Sequence, residues 1–225
     1  MVKMQWRVNA IGCCYVYILI HTAIVTGNNE GTTVSPNSQF NITHKLYFEI
    51  EQQGKELGNI IFGLYGDVVP KTVTNFRMIA LMGINDTDLS YMRSRFHNVV
   101  PGVKIIGGDV INDDGSGHTS IWKRLFEDEN FLIKHSEPGI VSMVNHGPNT
   151  NGCQFFITLK ACPSYDGVNV AFGKVVGGMD IVYQIAKSQL DSDGEPRSPV
   201  IVTRIGELPV VGTDHPFYSW VQTDF

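Results

Sequence analysis

The segment "HKLYFEIEQQGKELGNIIFGLYGDVVPKTVTNFRMIALMG", residues 44–83, contains the patterns that decide the fold class. In residues 44–50 apolar side chains alternate with more polar ones, which is typical of a half-buried strand. Residues 58–65 follow after the turn-like "QQGKELG" and are predicted to form a hairpin with the first strand. Apolar residues then recur at helical spacing, with Pro70 near the start and Gly83 placed at the end. The segment therefore predicts a β-hairpin followed by a helix.

The rest of the chain continues mainly as short strands. A second helix is predicted near residues 179–187, where Met179, Val182 and Ile185 share a face. Many short strands with Gly-rich connections and only two helices predict a mainly β fold, a closed β-barrel, without an internal repeat or a second domain. The further strands are expected at 140–145, 154–159, 170–175 and 199–206.

The first 27 residues are typical of a secretory signal peptide. Lys3 and Arg7 precede the apolar run of residues 10–25, and "VTG" at 25–27 offers small residues for cleavage. The alternative is an uncleaved anchor, so a membrane association is expected only if the signal stays attached. The apolar run of about 16 residues is shorter than the roughly 20 residues that span a bilayer. We expect the mature chain in the secretory pathway: the endoplasmic reticulum lumen, a vacuole or the exterior.

Several features of the remaining chain are compatible with that compartment. Asn41 and Asn85 begin acceptor sequons for N-glycosylation, and the chain shows no C-terminal retrieval signal. Cys153 and Cys162 remain after the signal; a bridge between them is open, and buried free thiols are the favoured interpretation. We assign residues 28–42 to a disordered linker, 43–211 to one domain and 212–225 to a loose tail.

The composition excludes some classes of partner and cofactor. The formal net charge is −5, whereas a nucleic-acid-binding protein concentrates lysine and arginine to displace counterions. The seven histidines form no i, i+3 or i, i+4 pair on a predicted helix, so we expect no metal site and no cofactor. A monomer is expected.

Five longer motifs carry a resemblance to a known family. They are "VPKTVTNF" (69–76), "FHNVVPGVKIIGGD" (96–109), "FEDENF" (126–131), "GPNTNGCQFFI" (147–157) and "DGVNVAFGKVVGGMDIV" (166–182). In order and spacing the chain resembles the cyclophilins, the cyclosporin-binding peptidyl-prolyl cis-trans isomerases, from about Thr43 to Val211. The resemblance implies an eight-stranded antiparallel barrel closed by two helices, with a groove on its outer surface for proline-containing polypeptide segments of client proteins.

Isomerisation in such a groove needs neither a nucleophile nor a metal. Rotation about the X-Pro bond breaks amide resonance against a barrier of about 18–20 kcal/mol. The groove must hold the proline ring in an apolar pocket, and it must direct donors at the carbonyl and at the proline nitrogen. In the family, an arginine directly after the motif histidine supplies the critical donor, and a nearby glutamine orients it.

Carried over residue by residue, the family's groove is only partly present. The matching positions are His97, Gly115, Asn145, Gln154 and Phe156. The departures are Asn98 at the arginine, Val103 and Lys104 at the pocket phenylalanine and methionine, Ile106 at the orienting glutamine, Val144 at an alanine, Ser164 and Tyr165 at the tryptophan–leucine pair, and Asn169 at the distal histidine. The resemblance thus implies His97, Asn98 and Gln154 as the catalytic positions and the others as substrate-binding positions.

The departures predict an altered catalytic centre on a sound barrel. Asn98 is neutral and shorter than arginine, so it cannot place a charged guanidinium group at the same position. His97 is either catalytic or packed at the cleft wall, and Lys104 is either solvated, which we favour, or directed into the groove. Two functions follow: a folding-assisting isomerase of the secretory pathway with weak or lost activity, or a non-catalytic module that binds proline peptides or a partner protein. Cyclosporin binding is expected to be weak or absent.

Overall fold

A computed structural model describes residues 35–85 and 87–210 of the chain. The predicted signal peptide and the predicted tail (212–225) lie outside these residues. The structure contains eight strands and two α-helices in this part of the chain: β1 (His44–Gln52), β2 (Lys55–Leu64), α1 (Pro70–Leu81), β3 (Asn98–Val100), β4 (Lys104–Gly107), β5 (Ile140–Met143), β6 (Phe155–Thr158), β7 (Ala171–Gly177), α2 (Met179–Ala186) and β8 (Val200–Leu208).

All eight strands join in one antiparallel sheet. The strand order is β3-β4-β6-β5-β7-β2-β1-β8, and β1 and β2 pair as the predicted hairpin. The helix after the hairpin starts with Pro70 at its first position, and Gly83 follows its end with a φ of 73°. The mainly β class, both helices and the hairpin are therefore confirmed.

The sheet curls until its two edge strands approach each other. A continuous ladder does not join β3 to β8; the segment just before β3 bonds to β8 instead. The amide of Phe96 donates to the carbonyl of Val200 at 3.0 Å, and the amide of Arg93 donates to the carbonyl of Val202 at 2.7 Å. These hydrogen bonds pair backbone carbonyls of the edge strand β8 that would otherwise have no partner. The curled sheet therefore resembles a barrel at this edge.

Aromatic side chains fill the interior of the barrel. Phe76 of α1 lies at the centre, and its ring centroid is 5.8 Å from that of Phe48, 5.2 Å from that of Phe155 and 5.0 Å from that of Phe172. Tyr91 joins the same cluster and satisfies its buried hydroxyl by donating to the carbonyl of Cys153 at 2.6 Å. The core thus lies between α1 and the inner face of the sheet, and the outer face remains available for a binding site.

The described part of the assigned linker, residues 35–42, is ordered, which corrects that assignment. Asn37 is buried; its amide donates to the carbonyl of Lys134 at 2.8 Å and its side-chain oxygen accepts from the amide of Lys134 at 2.9 Å. Phe40 packs against Tyr65 with ring centroids 5.9 Å apart. The polar composition of this segment suggested disorder. The buried side chain of Asn37 nevertheless anchors the segment, because it pairs with the backbone of Lys134, which is distant in the sequence.

The two cysteines and the lengths of the helices can be compared with the sequence-based predictions. Cys153 and Cys162 are free and buried, as favoured from the sequence, and burial raises the pKa of both thiols. Within the described ranges, no helix combines the length and apolar character that crossing a membrane requires.

Candidate active site

Residues of three neighbouring strands form one row on the outer face of the sheet. Asn98 pairs with Ile106 across β3 and β4, and Ile106 pairs with Phe156 across β4 and β6. Directly opposed residues of an antiparallel sheet point to the same side. Their sequence neighbours Ile105 and Phe155 belong to the core, so the row faces outward. The structure thus brings these three predicted site residues together.

The side chain of Asn98 is engaged away from the row. Its Nδ2 donates to the carbonyl of Asp193 at 2.9 Å, in the loop between α2 and β8. Gly194 of this loop approaches so closely that a Cβ there would lie 3.0 Å from the same nitrogen. The position that the family gives to arginine therefore holds a neutral amide that binds its own chain.

Phe156 is fully buried although it lies outside the core. Its exposed fraction is 0%. Tyr165 contacts it edge-on with centroids 5.1 Å apart, and His135 stacks on it at 5.9 Å. Lys104 covers the pair, with Nζ 4.5 Å from the Phe156 centroid and 4.6 Å from that of Tyr165. The apolar floor expected for a proline ring is thus occupied by side chains of the chain itself.

The position of Lys104 differs from the solvated lysine favoured from the sequence. Its side chain is half-buried, and burial lowers the pKa of its ammonium. The side chain of Lys104 is half-buried because it packs on the aromatic pair of Phe156 and Tyr165. The methylene groups of a lysine can cover such a surface while its ammonium interacts with the ring faces.

His97 directly precedes β3 and is buried. It is 6% exposed, and Nδ1 has no hydrogen-bond partner within the described residues. Burial lowers the pKa of His97, against the opposing effect of Asp109 and other carboxylates. A Cβ at Gly115 would lie 3.1 Å from the His97 ring, and Gly115 has a φ of 90°, so this position requires glycine. The neutral ring packs against the glycine, and both interpretations of His97 remain predictions.

Gln154 is held by the loop that follows β4. Its Nε2 donates to the carbonyl of Gly115 at 2.9 Å and to that of Gly117 at 2.8 Å. The loop itself is organised by Asp109, whose carboxylate accepts backbone N–H groups. Burial tends to raise the pKa of Asp109, but these hydrogen bonds outweigh it and bring the pKa down to about 2. Gln154 therefore has a fixed place beside the row.

Among the remaining predicted residues, the structure records hydrogen bonds for the two asparagines. Asn145 donates to the carbonyl of Val168 at 2.7 Å, and Asn169 donates to the carbonyl of Met143 at 2.9 Å. These two amides tie the end of β5 to the segment before β7. Val144 and Val103 are partly exposed, whereas Ser164 is exposed and makes no contact with the aromatic pair that the structure records.

The two most family-like motifs bind each other and α1. Glu129 of "FEDENF" accepts the backbone amides of Lys71 and Thr72, both at 2.9 Å, at the N-terminus of α1. Asn151 of "GPNTNG" donates to Asp128 at 2.8 Å. A carboxylate at a helix N-terminus accepts hydrogen bonds from otherwise unpaired backbone amides, and its negative charge interacts favourably with the positive end of the helix dipole. These motifs therefore support the architecture beneath the site.

The support behind Phe156 could not be predicted from the sequence. His135 is buried; its Nδ1 lies 2.9 Å from Asp166, and its Nε2 lies 2.9 Å from the hydroxyl of Ser142. The order Asp–His–Ser resembles a hydrolytic triad, but Ser142 is fully buried and thus closed to a substrate. This chain of bonds fixes the ring that stacks on Phe156. No signal in the local sequence marks it, because its members come from three separate segments.

Comparisons with known proteins agree with the geometry. The family described as cyclophilin type peptidyl-prolyl cis-trans isomerase/CLD matches residues 47–207. The chain is 48% identical over 170 residues to the rhodopsin-specific isozyme of peptidyl-prolyl cis-trans isomerase from Calliphora vicina, which covers 76% of this chain and 72% of that protein. It is 45% identical over 197 residues to peptidyl-prolyl cis-trans isomerase D of Saccharomyces cerevisiae, over 88% of this chain and 84% of the yeast protein.

Proposed function

Since the chain belongs to the family of cyclophilin-type peptidyl-prolyl cis-trans isomerases, we propose that it acts on proline-containing segments with strongly reduced activity. The observation that carries this proposal is the place of Asn98. Its amide is neutral, and it donates to the carbonyl of Asp193 instead of extending over the groove. Loss of one preorganised donor commonly costs an enzyme about 10²–10³ in rate.

A second observation bears on substrate binding. Phe156 has no exposed surface, because Lys104 and Tyr165 cover it. A proline ring can reach Phe156 only if the lysine side chain moves away. This arrangement favours weak affinity for prolyl peptides and for cyclosporin.

The second candidate function is a binding module without catalysis. The same covered pocket supports it, because a partner could contact the outer face around Lys104 without inserting a proline ring. A binding titration with an Ala-Pro peptide, run beside the isomerase assay, separates the two functions. Saturable binding without isomerisation supports the module, and isomerisation above the uncatalysed rate supports the enzyme.

The decisive experiment is a double-mutant cycle at the Asn98–Ile106 pair. We expect Asn98→Arg alone and Ile106→Gln alone to restore little activity, since the arginine would lack an orienting partner and the glutamine would have nothing to orient. The double variant should exceed the sum of the singles, with a coupling of about 1–3 kcal/mol. The measurement is kcat/KM for an Ala-Pro peptide.

The control for the cycle is Asn59→Arg, which adds the same charge at an exposed position of β2 away from the row. It should leave kcat/KM unchanged. Wild-type activity equal to that of an ordinary cyclophilin would contradict the proposal. So would a double variant no better than Asn98→Arg.

We further propose that the chain enters the secretory pathway. The support is the basic and apolar pattern of residues 1–27 together with the two sequons. Asn41 and Asn85 are both exposed, as an acceptor site for a glycan requires. N-terminal sequencing of the protein from a secretory host tests the cleavage, with a start near Asn28 expected. A start at Met1 in a cytosolic fraction would overturn the proposal.

A further inference from the structure

Two histidines from separate loops meet beside the groove. His118 follows the loop organised by Asp109, and His146 follows β5. Their ring centroids are 4.2 Å apart with an interplanar angle of 73°. The two residues are 28 positions apart in the chain and neither lies on a helix, so helical spacing could not reveal the pair.

The ring nitrogens of the pair are not committed to strong hydrogen bonds. Nδ1 of His118 lies 3.4 Å from Nε2 of Gln154, but both hydrogens of that amide already serve the shorter bonds to Gly115 and Gly117. The structure records no hydrogen bond from the ring of His146 to the described residues. Both imidazoles therefore retain lone pairs that a ligand can use.

The local electrostatics favour the neutral form of His118. Burial lowers the pKa of its ring, and the neighbouring His146 lowers it further, against a smaller opposite effect of Asp109. Neutral imidazole is the form that ligates metals. His146 is exposed, so an ion from solvent can reach the pair directly.

We propose that His118 and His146 bind one divalent transition-metal ion of the kind that prefers imidazole, such as Zn²⁺ or Cu²⁺. Bonds of about 2.0–2.1 Å from each nitrogen to one tetrahedral ion place the two ring centres about 5.2 Å apart. The observed separation of 4.2 Å needs an opening of about 1 Å, which the exposed loop of His146 can supply. Water or a donor from a bound chain completes the coordination.

The ion would lie at the edge of the groove, since Gln154 contacts His118 and Asn145 precedes His146. No group of three or more His, Cys, Asp or Glu residues in the described ranges could hold a metal. The site is therefore an open two-ligand site of moderate affinity, unlike a closed four-ligand structural zinc site. The proposed metal binding does not depend on whether the groove isomerises X-Pro bonds.

The test is calorimetric titration of the full chain with ZnCl₂ at pH 7.5. We expect one ion per chain, and no comparable heat with MgCl₂, because Mg²⁺ prefers oxygen ligands. His118→Ala and His146→Ala should each weaken Zn²⁺ binding about tenfold or more. The control His44→Gln, which removes a histidine at the start of β1, should leave the affinity within about twofold.

A second measurement uses the wild-type protein alone, so it does not depend on whether the variants fold. In the wild-type protein, Zn²⁺ should shift the ring resonances of His118 and His146 together, with a common midpoint, and should leave those of the buried His135 in place. Equal affinity in His146→Ala and wild type, or no binding at 1 mM Zn²⁺, would overturn the proposal.

Discussion

At the scale of single residues, the character of the groove depends on a few side chains that depart from the family's pattern. Asn98 is too short to extend over the row, and Ile106 opposite it offers an apolar neighbour instead of an orienting amide. Lys104 covers the aromatic pair of Phe156 and Tyr165. Each change would be costly alone, since a buried polar group without a partner or an uncovered aromatic ring is unfavourable.

Lys104→Ala should uncover Phe156 and strengthen binding of an Ala-Pro peptide by about tenfold, since a proline ring could then bury apolar surface there. The same change should cost about 1 kcal/mol of stability through the lost contacts with the two rings. Calorimetric titration and urea unfolding measure the two effects. Lys45→Ala on β1 is the control. Unchanged peptide affinity in Lys104→Ala would show that Phe156 is not the floor of a proline pocket.

At the scale of elements, the loops are organised by carboxylates that accept backbone amides. Glu129 satisfies the first amides of α1, and Asp109 gathers the amides of residues 111–117. Gln154 then donates to carbonyls of the same loop. The position of a groove residue therefore depends on Asp109, which does not itself face the groove.

Asp109→Asn should lower stability at pH 7 by about 2 kcal/mol. The pKa of Asp109 is about 2 in the folded chain against an ordinary 3.8, so its contribution is complete above the unfolded value and is lost as the pH falls from about 4 to 2. Urea unfolding at pH 7, 4 and 2 should show the difference between variant and wild type shrinking toward zero. Asp88→Asn, on an exposed loop, should show no such trend. A constant difference across this range would refute the account.

At the scale of the whole molecule, the core of the barrel and the groove lie on opposite faces of the sheet. The core lies on the inner face around Phe76, whereas the altered residues lie on the outer face of β3, β4 and β6. Substitutions in the groove can thus accumulate without disturbing the aromatic cluster. The exposed Asn41 and Asn85 also lie outside the core, so the folded barrel can carry glycans.

If the chain passes through the secretory pathway, a glycosidase should reduce the apparent mass of the protein made in a eukaryotic host. Asn41→Gln and Asn85→Gln should each remove one step of that shift, and the double variant should be insensitive to the enzyme. The measurement is gel mobility before and after treatment. Secretion of a wild-type protein without any shift would contradict the use of both sequons.

The sequence by itself determined the hairpin, both helices, most of the strands and the family. These features are readable because alternation and helical spacing are relations between near neighbours, and because long motifs keep their order. β3 and β4 lie together in the motif at residues 96–109 and were not assigned as separate strands. The ordered segment at Asn37 was missed because its partner, Lys134, is 97 positions away.

Only the tertiary structure decided what the groove residues do. The bond from Asn98 to Asp193 joins positions 95 apart, and Lys104 reaches Tyr165 because β4 lies beside β6 and the turn after it. The meeting of His118 and His146 is likewise produced by two loops. Contacts of this kind depend on how separate segments are placed by the folded sheet, and no local periodicity records that placement.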